Sequence, residues 1–317
     1  EEALLHAQAA IRLDPFDPAV WYVAARALTK AGRTEQAQSA LASHGQMRAY
    51  ASDVDAITAA LRRDPTNLAL VQQLADRHER EGALQHAISA YERVRGNPGM
   101  WPAAHVNIAM LSLRLGDADR ADEELREASA SGGEDPRVRA AYGALLSARR
   151  DWRGAANAYR AAANADPQLT HAWVGLMRAA AMSGGRDAAE AVLDDWLLAD
   201  PGSAPAWNER GLLHRRDGTH AAAIEALERA VASDPDYYEA SNNLAWIYAQ
   251  TGERLDRART LVTGVISNAP TAGAYDTLAY VEQQAANLRE AARAAEHAVA
   301  IDPDNAEYRK RLDEIHR

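Results

Sequence analysis

The chain has 317 residues, of which 47% are hydrophobic and 25% are charged, a globular balance that argues against intrinsic disorder. Its formal net charge is −10, so it lacks the basic surface that general nucleic-acid binding requires, and we expect no nucleic-acid partner. It contains no Cys, which excludes disulfides, thiol chemistry and cysteine-ligated zinc.

The composition favours helices and says little about location. Alanine dominates the hydrophobic residues, Phe occurs once, and the β-branched residues that sheets favour are sparse. No run approaches the roughly 18 apolar residues of a membrane-spanning helix, so we expect no membrane span in this chain. The absence of Cys leans slightly toward an exported protein, and the localisation otherwise stays open.

Prolines that follow an acidic or small residue recur along the chain at a nearly constant interval. They are Pro65, Pro98, Pro136, Pro167, Pro201, Pro235, Pro270 and Pro303. Their successive spacings are 33, 38, 31, 34, 34, 35 and 33 residues. Proline ends a helix because it pushes the preceding residue out of the helical conformation. The spacing therefore predicts a repeated helical hairpin of about 34 residues.

Between these prolines the same residue types recur at the same positions of each unit. The unit that begins at Ala204 shows the pattern most clearly, with Trp207, Gly211, Ala223, Leu227, Ala230 and Pro235. This pattern resembles the tetratricopeptide repeat, as found in many bacterial proteins, and it continues in register over nearly the whole chain. The resemblance implies an all-α fold, an α-α solenoid of stacked helical hairpins that forms a right-handed superhelix.

The recurring residue types have a packing reason. Small residues such as Gly211 and Ala223 let the two helices of a hairpin approach closely, while larger side chains fill the remaining gaps. Glycine at the end of a first helix predicts a left-handed helix end at Gly32, Gly82 and Gly116.

The N-terminal part of the chain departs from the regular rhythm. Residues 1–17 match only the second helix of a hairpin, so we expect a half repeat there and infer that further sequence precedes Glu1. Residues 18–67 predict a repeat whose second helix is extended, because apolar or small residues continue at steps of three and four from Ala37 to Leu61. This helix of about 28 residues could kink at Gly45. It is either a projecting arm with coiled-coil character or an overlong helix that packs on its own neighbours.

The remaining residues predict regular repeats and a cap, which makes 1–317 a single solenoid. Residues 68–305 predict seven repeats, with surface loops at 131–134 and just before Ala258. Residues 306–317 predict a capping helix with an apolar stripe of Tyr308, Leu312 and Ile315. Its charged residues, among them Arg311, are expected to face water.

The sequence contains no constellation typical of catalysis. None of the ten His residues belongs to a His-Glu-x-x-His motif, and there is neither a glycine-rich phosphate loop nor a nucleophile elbow. His78 and His86 are eight residues apart across a predicted turn, a spacing that favours a structural role over a metal site. We therefore expect no enzyme, no catalytic residue, no metal and no cofactor.

The resemblance implies that the first helix of each hairpin lines a concave face. The residues that it places there are Tyr22, Arg26, Gln72, Asp76, His171, Arg178, Asn208, Arg215, Asn242, Trp246, Asp276, Tyr280 and Gln283. The middle repeats contribute an apolar stretch of Val106, Met110, Ala140 and Ala144. The Lys and Asn clamp with which some family members grip acidic C-terminal tails has no counterpart here.

The C-terminal part of this face is the favoured binding site. The amides of Asn208 and Asn242 suit a peptide backbone, and Trp246 and Tyr280 suit an aromatic anchor. The simpler alternative is that Trp246 only packs between repeats.

These observations predict a non-catalytic scaffold or adaptor that binds a peptide segment or a partner domain in the concave groove. One alternative is a regulatory or substrate-recruiting arm of a larger enzyme or of a secretion or polysaccharide-export machine. Another is a structural protein that self-associates through the 34–63 helix or the open N-terminal end.

Overall fold

The computed structural model describes residues 2–96, 101–132 and 134–316. Within these ranges the regular secondary structure is helical and no strand occurs. The helices are α1 (Glu2–Leu13), α2 (Pro18–Lys30), α3 (Thr34–Arg63), α4 (Leu68–Arg80), α5 (Leu84–Glu92), α6 (Trp101–Arg114), α7 (Ala118–Gly132), α8 (Pro136–Ala148), α9 (Trp152–Ala165), α10 (Thr170–Ala199), α11 (Ala204–Arg216), α12 (His220–Ser233), α13 (Tyr238–Thr251), α14 (Leu255–Asn268), α15 (Ala272–Gln284), α16 (Leu288–Ile301) and α17 (Ala306–Ile315). The predicted all-α solenoid of helical hairpins is confirmed.

The helices form two compact units, Glu1–Ala158 and Tyr159–Arg317. In the first unit α2 packs on α3, α4 on α5, and α6 on α7. In the second, α11 packs on α12, α13 on α14, and α15 on α16. The first helices of successive hairpins also touch, since α11 contacts α13 and α13 contacts α15. In the second unit the first helices thus lie beside one another, and in the first unit α6 contacts α8 in the same way.

The structure agrees with one of the two predicted surface loops and differs from the other. The predicted turn at Pro98 and the glycine at Gly133 lie outside the described residues. Helix α7 continues to Gly132, so part of the loop predicted at 131–134 extends a helix instead. The other predicted loop is present, since Gly252, Glu253 and Arg254 separate α13 from α14.

Close approach within a hairpin depends on residues without a side chain. A Cβ atom at Gly211 would lie 2.6 Å from Leu227 Cγ and 3.3 Å from the carbonyl oxygen of Ala223. Between successive hairpins, Gly175 of α10 faces the ring of Tyr159 of α9 at a similarly close distance. Leu227 and Ala223 are fully buried, so they have little room to move away. Glycine at these positions sets the separation of the two helices.

Glycines also make the turns that the sequence predicts. Gly32, Gly82 and Gly116 have φ values of 73°, 75° and 81°, which confirms the left-handed helix ends expected there. Gly185 has a φ of 76° and a ψ of −162° in the middle of α10. The rings of Trp173 and Trp196 stack 5.9 Å apart, although 23 residues of straight helix would span about 35 Å. The chain therefore folds back at Gly185, and α10 is a hairpin of two arms.

Helix α3 is the long helix that the sequence predicts. It covers 30 residues and runs through Gly45 with helical dihedral angles. Its N-terminal part shares a core cluster with α2 through Ala37 and Ala40. Its C-terminal part reaches the core of the next hairpin, where Leu61 packs with Val71 of α4. Both ends thus pack on the helix's own neighbours.

The middle of α3 closes over an aromatic and histidine cluster. The Tyr50 hydroxyl and His78 Nδ1 lie 2.7 Å apart in a buried hydrogen bond. The ring of His86 lies 5.4 Å from that of His78, and the guanidinium of Arg77 lies 5.0 Å from the Tyr50 ring. Burial above all, followed by the positive charge of His86, Arg93 and Arg77, lowers the pKa of His78 to about 4. His78 is thus held neutral at ordinary pH.

We expect Gly211→Ala to lower the free energy of unfolding by about 1–3 kcal/mol, since overpacking a buried contact forces neighbours apart. Urea unfolding followed by circular dichroism measures the change. Gly264→Ala is the matched control, because a Cβ atom there meets nothing within 4 Å. Alanine is the better helix former, so this control should keep or raise stability by up to about 1 kcal/mol. Equal stability of Gly211→Ala and the wild type would contradict the packing argument.

We expect stability to fall as the pH drops from 7.5 to 5, because the unfolded chain protonates His78 near pH 6.5 while the folded chain does so only near 4. The contribution of this one residue should be roughly 1–2 kcal/mol at pH 5. Urea unfolding at both pH values should show a smaller difference for His78→Gln than for the wild type. His6→Gln, which changes an exposed histidine, should keep the wild-type difference. If His78→Gln keeps it too, the assignment to His78 is wrong.

Candidate functional site

The predicted binding residues of the second unit lie on helices that touch in series. Helix α10 contacts α11, α11 contacts α13, and α13 contacts α15. Residues three and four apart share one side of a helix, as do Asn242 and Trp246 on α13. Asp276, Tyr280 and Gln283 share a side of α15 in the same way. We call the surface made by these sides of α10, α11, α13 and α15 the first-helix face.

Three of the predicted residues meet at one place on the first-helix face. The rings of Trp246 and Tyr280 have centroids 4.8 Å apart and are tilted by 39°. Between them and Asp276 lies the guanidinium of Arg311 from α17, 5.1 Å from the Trp246 centroid and 4.9 Å from the Tyr280 centroid. Arg311 donates from Nε to Asp276 Oδ1 at 2.5 Å and from Nη2 to Oδ2 at 3.3 Å.

The expectation that Arg311 faces water is wrong. Its side chain is 16% exposed and that of Asp276 is 10% exposed. The amphipathic pattern of α17 identified Leu312 and Ile315 as buried, and both do pack against α15 and α16. It missed Arg311 because a cation can be buried where a carboxylate and two aromatic rings replace its water shell. Trp246 and Tyr280 are therefore already in contact with each other and with the capping helix.

The two predicted asparagines have different surroundings. Asn208 is 3% exposed, and its Oδ1 accepts a hydrogen bond of 2.9 Å from Nδ2 of Asn243 on the next first helix. Its amide is thus used inside the stack. The Oδ1 atom of Asn242 is buried, and no described group lies within hydrogen-bonding distance of it. Such an orphan acceptor costs about 1–3 kcal/mol when nothing binds it.

Polar side chains without an intramolecular partner also occur toward the α10 end of the face. Among the described residues, no carboxylate lies within ion-pair distance of Arg178 or Arg215. Burial lowers the pKa of Arg215, and the neighbouring Arg216 lowers it further. Glu209 was not singled out by sequence, yet burial raises its pKa against the opposing attraction of Arg178 and Arg216. Arginines and a carboxylate thus share this end of the face without pairing tightly.

Two predicted binding residues of the second unit remain, His171 and Gln283. His171 lies near the start of α10 and is exposed. Burial of its ring nonetheless lowers its pKa, against the attraction of Asp166. Gln283 is half-buried at the end of α15 and contributes to the same side as Tyr280.

The predicted residues of the first unit form separate local groups. On α2 the guanidinium of Arg26 lies 5.9 Å from the ring of Tyr22, which is 46% exposed. On α4 the amide of Gln72 donates to Asp76 at 2.7 Å and accepts from the Tyr91 hydroxyl at 2.8 Å.

The apolar residues of the middle repeats are distributed unevenly. Met110 is exposed, Ala140 is buried, and Val106 and Ala144 lie between these extremes.

The hydrogen-bonded pairs between successive first helices were not predicted, but their members share a constant separation in the sequence. Asn208 and Asn243 are 35 residues apart, and so are Asp276 and Arg311. This separation is one repeat plus one residue, which places the second partner on the next first helix. Complementary polar residues at this separation are therefore candidates for bonds between successive hairpins.

The described residues hold no group of three or more His, Asp or Glu side chains placed to bind a metal ion. Over the same ranges, the helices are too short or too polar to cross a bilayer.

A stack of helical hairpins whose first helices form a continuous face defines a class of helical-repeat proteins that act as protein-interaction scaffolds. A family model described as "Tetratricopeptide repeat" matches residues 146–209 and 214–280. These two stretches of the chain thus match tetratricopeptide repeats, and proteins built from such repeats are typically non-catalytic scaffolds.

Solved structures support the fold. Yeast Tom70 superimposes with a TM-score of 0.65 at 12% identity, over 99% of this chain and 84% of that chain. The APC/C hetero-tetramer Cut9–Hcn1 gives 0.54 at 14% identity, over 93% of this chain and 58% of that chain. A tetratricopeptide repeat protein from Parabacteroides merdae ATCC 43184 gives a TM-score of 0.50 at 16% identity, over 78% of this chain and 98% of that chain. No curated protein matches the sequence significantly.

We expect Arg311→Met to loosen the C-terminal end of the second unit, because it leaves the carboxylate of Asp276 buried without its cation. Amide hydrogen exchange in α15 and α17 should accelerate, by an amount equivalent to about 2 kcal/mol of local stability. The control is Arg309→Met on the same helix, where the side chain is largely exposed. Equal exchange in the two variants would show that the Asp276–Arg311 pair does not hold α17.

Proposed function

We propose that the chain is a non-catalytic scaffold or adaptor that binds an extended segment of a partner protein along the first-helix face. The observation that carries this proposal is the set of polar groups on that face without an intramolecular partner. Among the described residues, neither Arg178 nor Arg215 forms an ion pair with a carboxylate. Because Arg215 is half-buried, a partner carboxylate that reaches it replaces interactions with water that burial has removed.

Polar residues with and without a partner occur on the same first helices. Helix α11 carries Asn208, which is bonded to Asn243, and Arg215, which is not paired. Helix α15 carries Asp276, which is paired with Arg311. The stack thus satisfies polar groups where neighbouring first helices face each other and leaves others available beside them. This arrangement supports a binding surface rather than an imperfect core.

An extended peptide suits the chemistry of the face. An acidic side chain of such a peptide can pair with Arg178 or Arg215. The arginines lie on α10 and α11, while Glu239 lies on α13. A segment with acidic residues toward the α10 end and basic residues toward the α13 end complements both.

The test is selection of peptides from a random display library on the immobilised wild-type chain. We expect enriched peptides to bind with Kd values in the micromolar range, and the Arg178→Ala, Arg215→Ala double variant to raise Kd at least about tenfold. The matched control is Arg289→Ala with Arg293→Ala, which removes the same charge from exposed positions of α16. This control should stay within about twofold of the wild type.

Two outcomes would contradict the proposal. Failure to enrich any peptide would argue against binding of extended segments. Equal loss of affinity in both double variants would show that only net charge matters and that the first-helix face is not the site.

A further inference from the structure

A cavity of about 410 Å³ opens on the first unit where α3, α4 and α5 meet. It is lined by Thr58, Leu61 and Arg62 from the end of α3, Pro65 from the turn that follows, Val71 from α4, and Arg93 just after α5. We call this site the Pro65 cavity. It shares no residue with the first-helix face, which belongs to the second unit.

Two arginines at the Pro65 cavity have no partner within the described part of the chain. Arg62 and Arg93 are exposed, and neither forms an ion pair or a hydrogen bond with a described residue. Among the described residues that line the cavity, none is Asp or Glu. The carboxylate of Glu92, next to Arg93 in the sequence, lies 2.6 Å from Arg120 instead. The two guanidinium groups are therefore available to an anion.

The helix ends and charges around the cavity do not reverse this preference. Helices α3 and α5 end at the cavity and α4 begins there, so their partial charges leave at most about half a negative charge. Arg63 and Asp64, which follow Arg62 in the sequence, carry opposite charges, and neither lines the cavity. Two full positive charges outweigh half a negative one, so the cavity favours an anion.

The same pair of arginines recurs one repeat later and is neutralised there. Arg95 and Arg126 follow the two arginines of the Pro65 cavity by 33 residues each. Arg95 lies 3.2 Å from a carboxylate oxygen of Glu124, and Arg126 lies 2.9 Å from one of Asp122. Helix α7 thus supplies a carboxylate to each arginine.

Helix α5 lacks the matching carboxylates. The residues 33 positions before those two acidic residues are Ser89 and Tyr91, which are uncharged. In the second unit, the corresponding cavity beside Pro167 also contains an internal ion pair, since Arg160 lies 3.0 Å from Asp195. The chain itself therefore supplies the carboxylates at the other two places, and at the Pro65 cavity a partner can supply them.

The walls of the Pro65 cavity favour a peptide over a small anion. Exposed ion pairs alone hold a partner weakly, because water competes for both charges. The cavity adds apolar contact through Pro65, which is exposed, and through Leu61, which is 6% exposed. The half-buried hydroxyl of Thr58 forms no hydrogen bond with a described residue and is a further donor. A segment with two carboxylates around an apolar side chain uses all of these groups, whereas a small anion uses only the polar ones.

We propose that the Pro65 cavity docks an acidic segment of a partner protein. Two carboxylates of the segment pair with Arg62 and Arg93, and an apolar side chain between them lies over Leu61 and Pro65. The inference goes beyond the proposed function, because it adds a second docking surface on the first unit and states the chemistry of its partner.

The test measures the fluorescence anisotropy of a labelled hexapeptide in which two aspartates flank one leucine. The full chain carries Arg178→Ala and Arg215→Ala in every sample, so that binding to the first-helix face does not contribute. A second peptide has asparagines in place of the aspartates, and a third has serine in place of the leucine. We expect the Kd of the first peptide to be at least about tenfold lower than that of the second and about threefold lower than that of the third.

Two double variants locate the binding. Arg62→Gln with Arg93→Gln should raise the Kd of the first peptide at least about tenfold. Arg48→Gln with Arg63→Gln removes the same charge from exposed positions outside the cavity and should stay within about twofold. Circular dichroism checks that each variant keeps its helices.

A further variant supplies a carboxylate from within the chain. Ser89→Asp places an aspartate four residues before Arg93, as Asp122 stands before Arg126. It should pair with Arg93 and raise the Kd of the first peptide by about threefold or more. Ser39→Asp, which adds the same charge at an exposed position of α3, should stay within about twofold.

Equal Kd values for the aspartate and asparagine peptides would overturn the inference, and so would an equal loss of affinity in the two double variants. Inorganic phosphate that displaces the first peptide as effectively as the unlabelled peptide does would show a simple anion site and reject the segment. Failure of the first-helix face to select peptides leaves these outcomes unchanged, because the arginines of that face are absent from the test.

Discussion

The contact on which the rest of this structure depends is the close approach of two helices within a hairpin. At Gly211 the side chain of Leu227 lies too close to admit a Cβ atom, so the separation of α11 and α12 is set by the absence of that atom. Hairpins packed in this way stack on their neighbours. The first helices then lie side by side, and residues one repeat apart become neighbours in space.

Side-by-side first helices divide the polar residues into two groups. Asn208 and Asp276 point at the next first helix and are bonded to Asn243 and Arg311. In the part of the chain that the structure describes, Arg215 forms no ion pair and the buried Oδ1 atom of Asn242 accepts no hydrogen bond. Bonds of the first group align the hairpins, because each joins residues 35 apart in sequence. A binding partner can form the interactions that the second group lacks within the chain, which is the property that a recognition surface needs.

The sequence predicted what a single repeat determines. The positive φ values of Gly32, Gly82 and Gly116 and the long helix α3 follow from local backbone chemistry, and both predictions are confirmed. The burial of Arg311 could not be read in this way. A charged residue on an amphipathic helix is expected in water, and its actual place depends on two rings and a carboxylate supplied by other hairpins.

Helix α3 contributes to two cores at once, through Ala37 and Ala40 on one side and Leu61 on the other. In a stack of hairpins each unit usually frays almost independently, because only neighbours touch. A rigid element that runs through two units removes the natural break between them. We therefore expect the first hairpins of this chain to unfold together, because α3 joins their two cores.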